Sequence, residues 1–186
     1  MQNEITKCIE VLKSGGIILY PTDTVWGLGC DATNEEAVKK IFELKQREDS
    51  KSMIVLVSSD AMLQKYVVDV PPLAWDIIDL ATKPTTIIYP KARLIAKNAV
   101  AIDGSIGIRM VKNNFAHHLI QKFNKPIIST SANISGKSTP QTFENIPKNI
   151  SFGVDHVVNQ LFDNGNHNPS SIISLNLKGE IKVLRK

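Results

Sequence analysis

The sequence lacks the residues from which the commonest catalytic devices are built. It has only two cysteines, Cys8 and Cys30, and four histidines, which form neither an HExxH motif nor a pattern of closely spaced metal ligands. No Ser-His-Asp order stands out either. Two isolated cysteines give no disulfide framework, so we expect both to be buried, reduced thiols. The sequence therefore disfavours covalent catalysis and catalysis by a metal ion held on protein ligands.

Long apolar runs are also missing. No segment approaches the roughly 20 uninterrupted apolar residues that cross a membrane. Residues 1–16 carry charges among their apolar positions, which predicts an amphipathic helix and not a signal peptide. We therefore expect a cytoplasmic protein without membrane association. The net charge of +4 suits an anionic ligand or a transient nucleic-acid partner and does not decide between them.

The order of apolar segments predicts the fold class. At 186 residues, without repeats or linkers, the chain is expected to form one domain, 1–186. Helical and strand patterns alternate early, and strands crowd together late, which predicts an α/β domain with a twisted, mixed β-sheet and flanking helices. The predicted strands are IILY, MIVLV, TTIIYP, IGIRM, PIIST, DHVV, SSIISL and EIKVL.

Helices are predicted between these strands. A capping box over residues 33–36 is expected to begin one of them, and Thr139 with Pro140 is expected to begin a short one. The other predicted helices are the N-terminal segment, SSDAMLQKY, PPLAWDIIDLA and NNFAHHLIQKF.

Polar residues gather where predicted strands end. They are residues 21–24 after IILY, Arg109 near the end of IGIRM, and residues 129–133 at the end of PIIST. In open α/β sheets, ligands bind in the crevice at strand ends. An arginine in an apolar strand needs an anionic partner, which is either a ligand or a carboxylate in a structural ion pair. Both alternatives stay open for Arg109.

Two further segments carry cations or hydroxyls. Lys45, Arg47 and Lys51 follow a predicted helix, where a solvated helix end is the favoured interpretation of the residues alone. The segment SANISGKS resembles a P-loop only weakly, because Pro140 places its Lys-Ser pair before the next helix. It can bind phosphate through hydroxyls and backbone N–H groups, or form a capped turn with Asn133 in a left-handed conformation. Such groups suit a reaction that depends on positioning and charge stabilisation, for example nucleotidyl transfer.

Four motifs in order resemble a known family. YPTDTVWGLG, KQR, IGIRM and PIISTSANISGKSTP are similar to the motifs of YrdC-type threonylcarbamoyl-AMP synthases in their short, single-domain form. The resemblance extends from about residue 15 to Arg185. It implies a twisted α/β sheet around a large, concave, positive cavity.

The resemblance also implies an activity. These enzymes make L-threonylcarbamoyladenylate and pyrophosphate from L-threonine, bicarbonate and ATP, with Mg²⁺ held mainly by the ATP phosphates. Downstream threonylcarbamoyl-transferase proteins use the product to modify the adenosine beside the anticodon in tRNAs that read ANN codons. Transient tRNA binding is therefore an implied partner interaction.

The resemblance assigns residues to roles by position. The catalytic set would be Lys45, Arg47, Ser131 and Asn133. The ATP-binding set would add Lys51, Ser105, Thr139 and Arg185 to those four. The L-threonine-binding set would be Thr24, Arg109, Ser129 and Ser170.

Several single positions add to or depart from the family pattern. Trp26 stands where the family usually has Tyr or Phe, and we expect it to form an aromatic wall of the pocket, with Gly27 and Gly29 letting the backbone approach the ligand. Leu56 replaces a histidine that helps to bind threonine in longer members. Asp23 has no assigned role, and we interpret it as a turn-stabilising carboxylate.

Two alternatives compete with the synthase. One is a non-catalytic module that binds tRNA or structured RNA through the same basic cavity, with a basic tail at Lys178, Lys182, Arg185 and Lys186. Against it, basic residues are not interleaved with aromatic ones. The other is a carbamoyl-adenylate step on a different acceptor, as in larger carbamoyl-transfer enzymes.

Overall fold

A single mixed sheet dominates the structure. The computed structural model describes residues 1–46, 53–163 and 168–186. In these residues the strands are β1 (Ile18–Tyr20), β2 (Gly27–Gly29), β3 (Ile54–Val57), β4 (Thr85–Tyr89), β5 (Ile106–Met110), β6 (Ile127–Ser131), β7 (His156–Val157), β8 (Ser171–Leu175) and β9 (Ile181–Arg185). Their order across the sheet is β7-β1-β2-β6-β3-β5-β4-β8-β9.

Helices flank this sheet. They are α1 (Gln2–Lys13), α2 (Glu35–Lys45), α3 (Asp60–Tyr66), α4 (Leu73–Leu80), α5 (Phe115–Phe123) and α6 (Lys148–Ser151), with 3-10 turns at Lys97–Ala99, Phe143–Asn145 and Gln160–Phe162. Parallel pairs join β1 to β7, β3 to β5 and β4 to β8, and the other pairs are antiparallel. The predicted α/β class with a mixed sheet and flanking helices is thus confirmed.

The two faces of the central strands differ in chemistry. Val55, Ile87, Ile108 and Ile128 share one face through their register and belong to the buried apolar core. Because side chains alternate along a strand, the residues next to them lie on the other face. Several of those neighbours are polar, including Thr86, Arg109 and Ser129, and they surround a cleft. The predicted site at strand ends therefore extends over the face of the sheet.

Three local predictions were wrong. The cap of α2 is Asn34, whose side chain accepts from the backbone N–H of Ala37, while the Thr33 hydroxyl donates to Asp31 at 2.6 Å. No helix begins at Thr139; the next helical turn is Phe143–Asn145. Strand β2 was not predicted, because Gly-Leu-Gly has a low β-propensity and is held by its neighbours instead.

Both cysteines are buried and free, as predicted. Burial raises the pKa of the Cys8 thiol to about 12 and also raises the pKa of Cys30. Both thiols therefore stay protonated at neutral pH. Among the described helices, none has the length and apolar character needed to cross a membrane.

Gly29 permits close packing between β1, β2 and β6. A Cβ atom at Gly29 would lie 2.6 Å from the Tyr20 ring and 3.1 Å from the carbonyl oxygen of Ile128. We expect Gly29→Ala to lower the free energy of unfolding by about 2 kcal/mol, because a buried ring and a backbone must both move. Urea unfolding measures this. Gly107→Ala is the control, since its Cβ would meet nothing nearer than 3.4 Å; equal losses in the two variants would contradict the packing argument.

Candidate active site

A cleft of about 310 Å³ lies on the polar face of the sheet. This volume falls at the lower end of the range of small-molecule sites, roughly 300–1,000 Å³. The structure brings seven predicted site residues together in its lining: Thr24, Arg109, Ser129, Ser131, Thr139, Ser170 and Arg185. All four predicted L-threonine contacts are among them.

Arg109 is the most buried cation of this cleft. Its residue is 3% exposed, and its Nη2 donates to Asp23 Oδ1 at 2.9 Å and to Thr24 Oγ1 at 3.3 Å. Its Nε atom is buried and has no hydrogen-bond partner among the described residues. The structure therefore shows the structural ion pair, and the binding of an anionic ligand by Arg109 stays a prediction.

The turn before β2 is held by Thr22 and not by Asp23. The Thr22 hydroxyl donates to the carbonyl of Val25 at 2.8 Å and accepts from the backbone N–H of Thr24 at 3.0 Å. Asp23 instead forms an ion pair with Arg109. Our interpretation of Asp23 as the turn-stabilising residue was therefore wrong. Threonine commonly forms such local bonds, so Thr22 could have been found from the sequence.

A second arginine faces the same cleft. Arg185 Nε donates to the carbonyl of Ser170 at 2.8 Å, and its Nη2 donates to Ser170 Oγ at 3.2 Å. Ser170 Oγ also lies 2.9 Å from the hydroxyl of Thr86. Thr86 is buried, lines the cleft and was not predicted. The sequence gives little indication that Thr86 is a site residue, because a single threonine in a strand is normally explained by β-propensity.

The electrostatics of the cleft favour an anion. Burial and the nearby charge of Arg109 both lower the pKa of Arg185. Two guanidinium groups that repel each other are stabilised when an anion lies between them. Among the described lining residues there is no carboxylate.

The end of β6 contributes Ser131 to the cleft, whereas Asn133 in the following loop is not part of the described lining. Ser131 lines the cleft, whereas Asn133 and Lys45 do not belong to its described lining. Lys45 Nζ instead donates to the backbone carbonyls of Ser131 and Asn133. The alternative of a left-handed Asn133 is wrong, because Gly136 is the residue of this loop with a positive φ, at 79°.

Of the other predicted ATP contacts, the structure describes Ser105 away from the cleft lining. Ser105 lies in the turn before β5, where its backbone N–H donates to Asp103 at 2.9 Å. It is absent from the described lining. Arg47 and Lys51 lie outside the described residues.

Trp26 is not a wall of the described cleft. Its side chain is buried, its ring centroid lies 4.9 Å from that of Phe143, and its Nε1 donates to Asp163 at 2.7 Å. Gly27 does line the cleft, whereas Gly29 serves the packing of the sheet. Leu56 is buried beside Arg109 in the register of β3 and β5.

Metal ligands are not clustered in the part of the chain that the structure describes. There, no group of three or more His, Cys, Asp or Glu side chains is placed to hold a metal ion. The polar groups available to a ligand at the cleft are hydroxyls, backbone groups and the two arginines.

Comparison with known proteins identifies the family. A model of the Sua5/YciO/YrdC family, described as telomere recombination, matches residues 10–186. The chain belongs to this family. A relative from Pseudoalteromonas translucida named threonylcarbamoyl-AMP synthase is 33% identical over 174 residues, which cover 92% of each chain.

Solved structures agree with the fold. The crystal structure of P. abyssi Sua5 complexed with L-threonine matches the present chain with a TM-score of 0.82 and 27% sequence identity. The match covers 92% of the present chain and 50% of the Sua5 chain. E. coli YciO, at 24% identity, has a TM-score of 0.84 over the whole chain and 90% of its own length, which shows the shared fold.

The ion pair of Asp23 with Arg109 generates a stability prediction. Asp23→Ala leaves a buried guanidinium with fewer acceptors, so we expect the free energy of unfolding to fall by about 1–3 kcal/mol. Thermal or urea unfolding measures the change. Asp79→Ala is the matched control, because it removes an exposed ion pair with Lys112 at 3.6 Å and should cost less than about 0.5 kcal/mol. Similar losses in the two variants would contradict a buried, stabilising pair.

Proposed function

We propose that the protein is an L-threonylcarbamoyladenylate synthase, a nucleotidyltransferase. The observation that carries the proposal is the buried guanidinium of Arg109, which lines a cleft together with hydroxyl side chains and a second arginine. Relatives that match most of the chain carry the name threonylcarbamoyl-AMP synthase, and a family neighbour is complexed with L-threonine. These relatives favour an enzyme over a non-catalytic RNA-binding module.

L-Threonine would bind on the Arg109 side of the cleft. Its carboxylate would accept from the guanidinium of Arg109, since an arginine–carboxylate hydrogen bond is strong and directional. The hydroxyls of Thr24, Ser129 and Ser170 surround this position in the cleft lining. They would contact the amino and hydroxyl groups of the substrate. Asp23 accepts from Nη2 of the same guanidinium.

ATP would bind on the side of Ser131, Thr139 and Arg185. Arg185 is tied to Ser170, so its charge stays at the cleft and can neutralise a phosphate. Arg47, Lys51 and Ser105 are further proposed contacts from the family pattern. Mg²⁺ would arrive as part of the Mg·ATP substrate, held by phosphate oxygens and water.

The proposed reaction needs no covalent enzyme intermediate. The threonine nitrogen attacks the carbon of bicarbonate, water leaves, and a carbamate forms. A carbamate oxygen then attacks the α-phosphorus of ATP, and the bond from that phosphorus to the bridging oxygen breaks to release pyrophosphate. The protein contributes orientation of both substrates and stabilisation of negative charge.

The product defines the proposed cellular role. Downstream threonylcarbamoyl-transferase proteins would take up the adenylate and modify tRNAs that read ANN codons, and the protein would act in the cytoplasm. The cleft arginines and the lysines of β9 and its flanks could also contact tRNA transiently. The alternative activity is formation of a carbamoyl-adenylate on an acceptor other than L-threonine. Assays with different acceptors distinguish it from the proposed activity.

Product analysis tests the activity directly. We expect the purified protein with Mg·ATP, L-threonine and ¹³C-bicarbonate to form labelled threonylcarbamoyl-AMP and pyrophosphate, detected by mass spectrometry. Omitting threonine or bicarbonate should abolish both products. Adenylate formation with an unrelated acceptor in place of threonine, or no adenylate at all, would overturn the proposal.

We expect Arg109 to act mainly on the binding of L-threonine and Arg185 mainly on the binding of ATP. We expect Arg109→Ala to lower kcat/KM for L-threonine by about 100-fold or more, because a buried charge-assisted contact is lost. Arg185→Ala should raise the KM for ATP more than the KM for threonine. Steady-state kinetics with each substrate varied in turn measures both effects. Lys112→Ala, at an exposed position outside the cleft lining, is the control; a threonine dependence that Arg109→Ala leaves unchanged would refute the assignment.

A further inference from the structure

A buried lysine lies behind the wall of the cleft. Lys45 is the last residue of α2 and is 2% exposed. An ammonium group removed from water needs acceptors for its three donors. Lys45 Nζ donates to the backbone carbonyl of Ser131, to that of Asn133 at 2.6 Å and to Asn133 Oδ1 at 3.4 Å. The ammonium is therefore directed into the loop that follows β6.

The backbone of Lys45 is bound to the same loop. The N–H of Ser135 donates to the carbonyl of Lys45 at 2.9 Å. Carbonyls in the last turn of a helix have no partner within the helix, so this bond satisfies one of them. Both the main chain and the side chain of Lys45 thus join the end of α2 to residues 131–135.

Asn133 completes this network from within the loop. Its Oδ1 accepts from Ser131 Oγ at 2.5 Å, and its Nδ2 donates to the carbonyl of Lys137 at 2.6 Å. Asn133 is 7% exposed and, like Lys45, is absent from the described cleft lining. Its amide therefore holds together the two ends of residues 131–137, while Ser131 and Thr139 on either side line the cleft.

We propose that Lys45 and Asn133 are positioning residues, which fix residues 131–137 so that Ser131 and Thr139 face the nucleotide, and that neither side chain contacts ATP. The role of the positioned hydroxyls rests on the proposed function. The organisation of the loop does not, because it is a property of the ligand-free protein.

Hydrogen exchange of the ligand-free protein tests the loop. In Lys45→Met, we expect amides of residues 131–137 to exchange at least about tenfold faster, because charge-assisted hydrogen bonds to the loop are lost. Lys39→Met is the matched control, since it removes the same charge from an exposed position of α2. Unchanged exchange in Lys45→Met would overturn the proposal, whatever the enzyme assay shows.

Kinetics separates positioning from a general structural role. Lys45→Met should raise the KM for ATP about tenfold or lower kcat comparably, while the calorimetric Kd for L-threonine changes less than about threefold because the Arg109 side is not held by this loop. A loss of ATP binding with unchanged loop exchange would instead show a direct phosphate contact. Equal weakening for both substrates would show a merely structural role.

Asn133→Ala tests the positioning role if Lys45→Met does not fold. It keeps the ammonium and both backbone carbonyl acceptors, and it removes the bonds of the Asn133 amide, which are two inside the loop and the 3.4 Å bond from Lys45 Nζ. The proposal requires faster exchange in residues 131–137 together with weaker ATP use and unchanged threonine binding. Unchanged exchange in this variant would overturn it.

Discussion

Arg109 carries a positive charge into the interior of the central sheet, where an unpaired charge is costly. Its surroundings follow from that constraint. The turn before β2 supplies Asp23 and Thr24 as acceptors, and Thr22 holds the shape of this turn. The guanidinium lies on a face of the sheet where hydroxyls replace apolar side chains, and its Nε has no partner among the described residues. The proposed recognition of a carboxylate depends on this arrangement.

A second positive charge gives the cleft its proposed chemistry. Arg185 is held by Ser170, which Thr86 also contacts, so it remains at the cleft despite the charge of Arg109. Anions that bind between the two arginines relieve their repulsion. A carboxylate and a triphosphate can then be brought together without a nucleophile from the protein. The absence of reactive motifs from the sequence is consistent with a reaction that depends on placement.

The strands with continuous apolar runs could be predicted from the sequence, because burial on both faces leaves an unmistakable pattern. Arg109 could also be singled out, since a charge in such a run needs a partner. Strand β2 could not be predicted, because its glycines are selected by the close approach of Tyr20 and Ser129, and these contacts depend on the pairing of β1, β2 and β6. The pairing of Asp23 with Arg109 spans 86 positions and depends on tertiary structure in the same way.

The motifs placed most hydroxyl residues of the cleft correctly but could not distinguish lining from support. Lys45 and Ser131 both belong to the family motif, yet one lies behind the cleft wall and the other on it. Only the structure shows that the lysine is directed into the loop. The same difficulty applies to two further residues. Thr86 lines the cleft although none of the four motifs contains it, whereas Trp26 belongs to a motif but is buried away from the cleft lining, against Asp163.

The central claim is that Arg109 recognises the carboxylate of L-threonine, and calorimetric titration of the ligand-free protein tests it most directly. L-Threonine and L-threoninamide share every group except the carboxylate. The account predicts that threonine binds, that the amide binds at least about 100-fold more weakly, and that Arg109→Ala removes the difference. Equal affinity for the two compounds in the unmodified protein would contradict it.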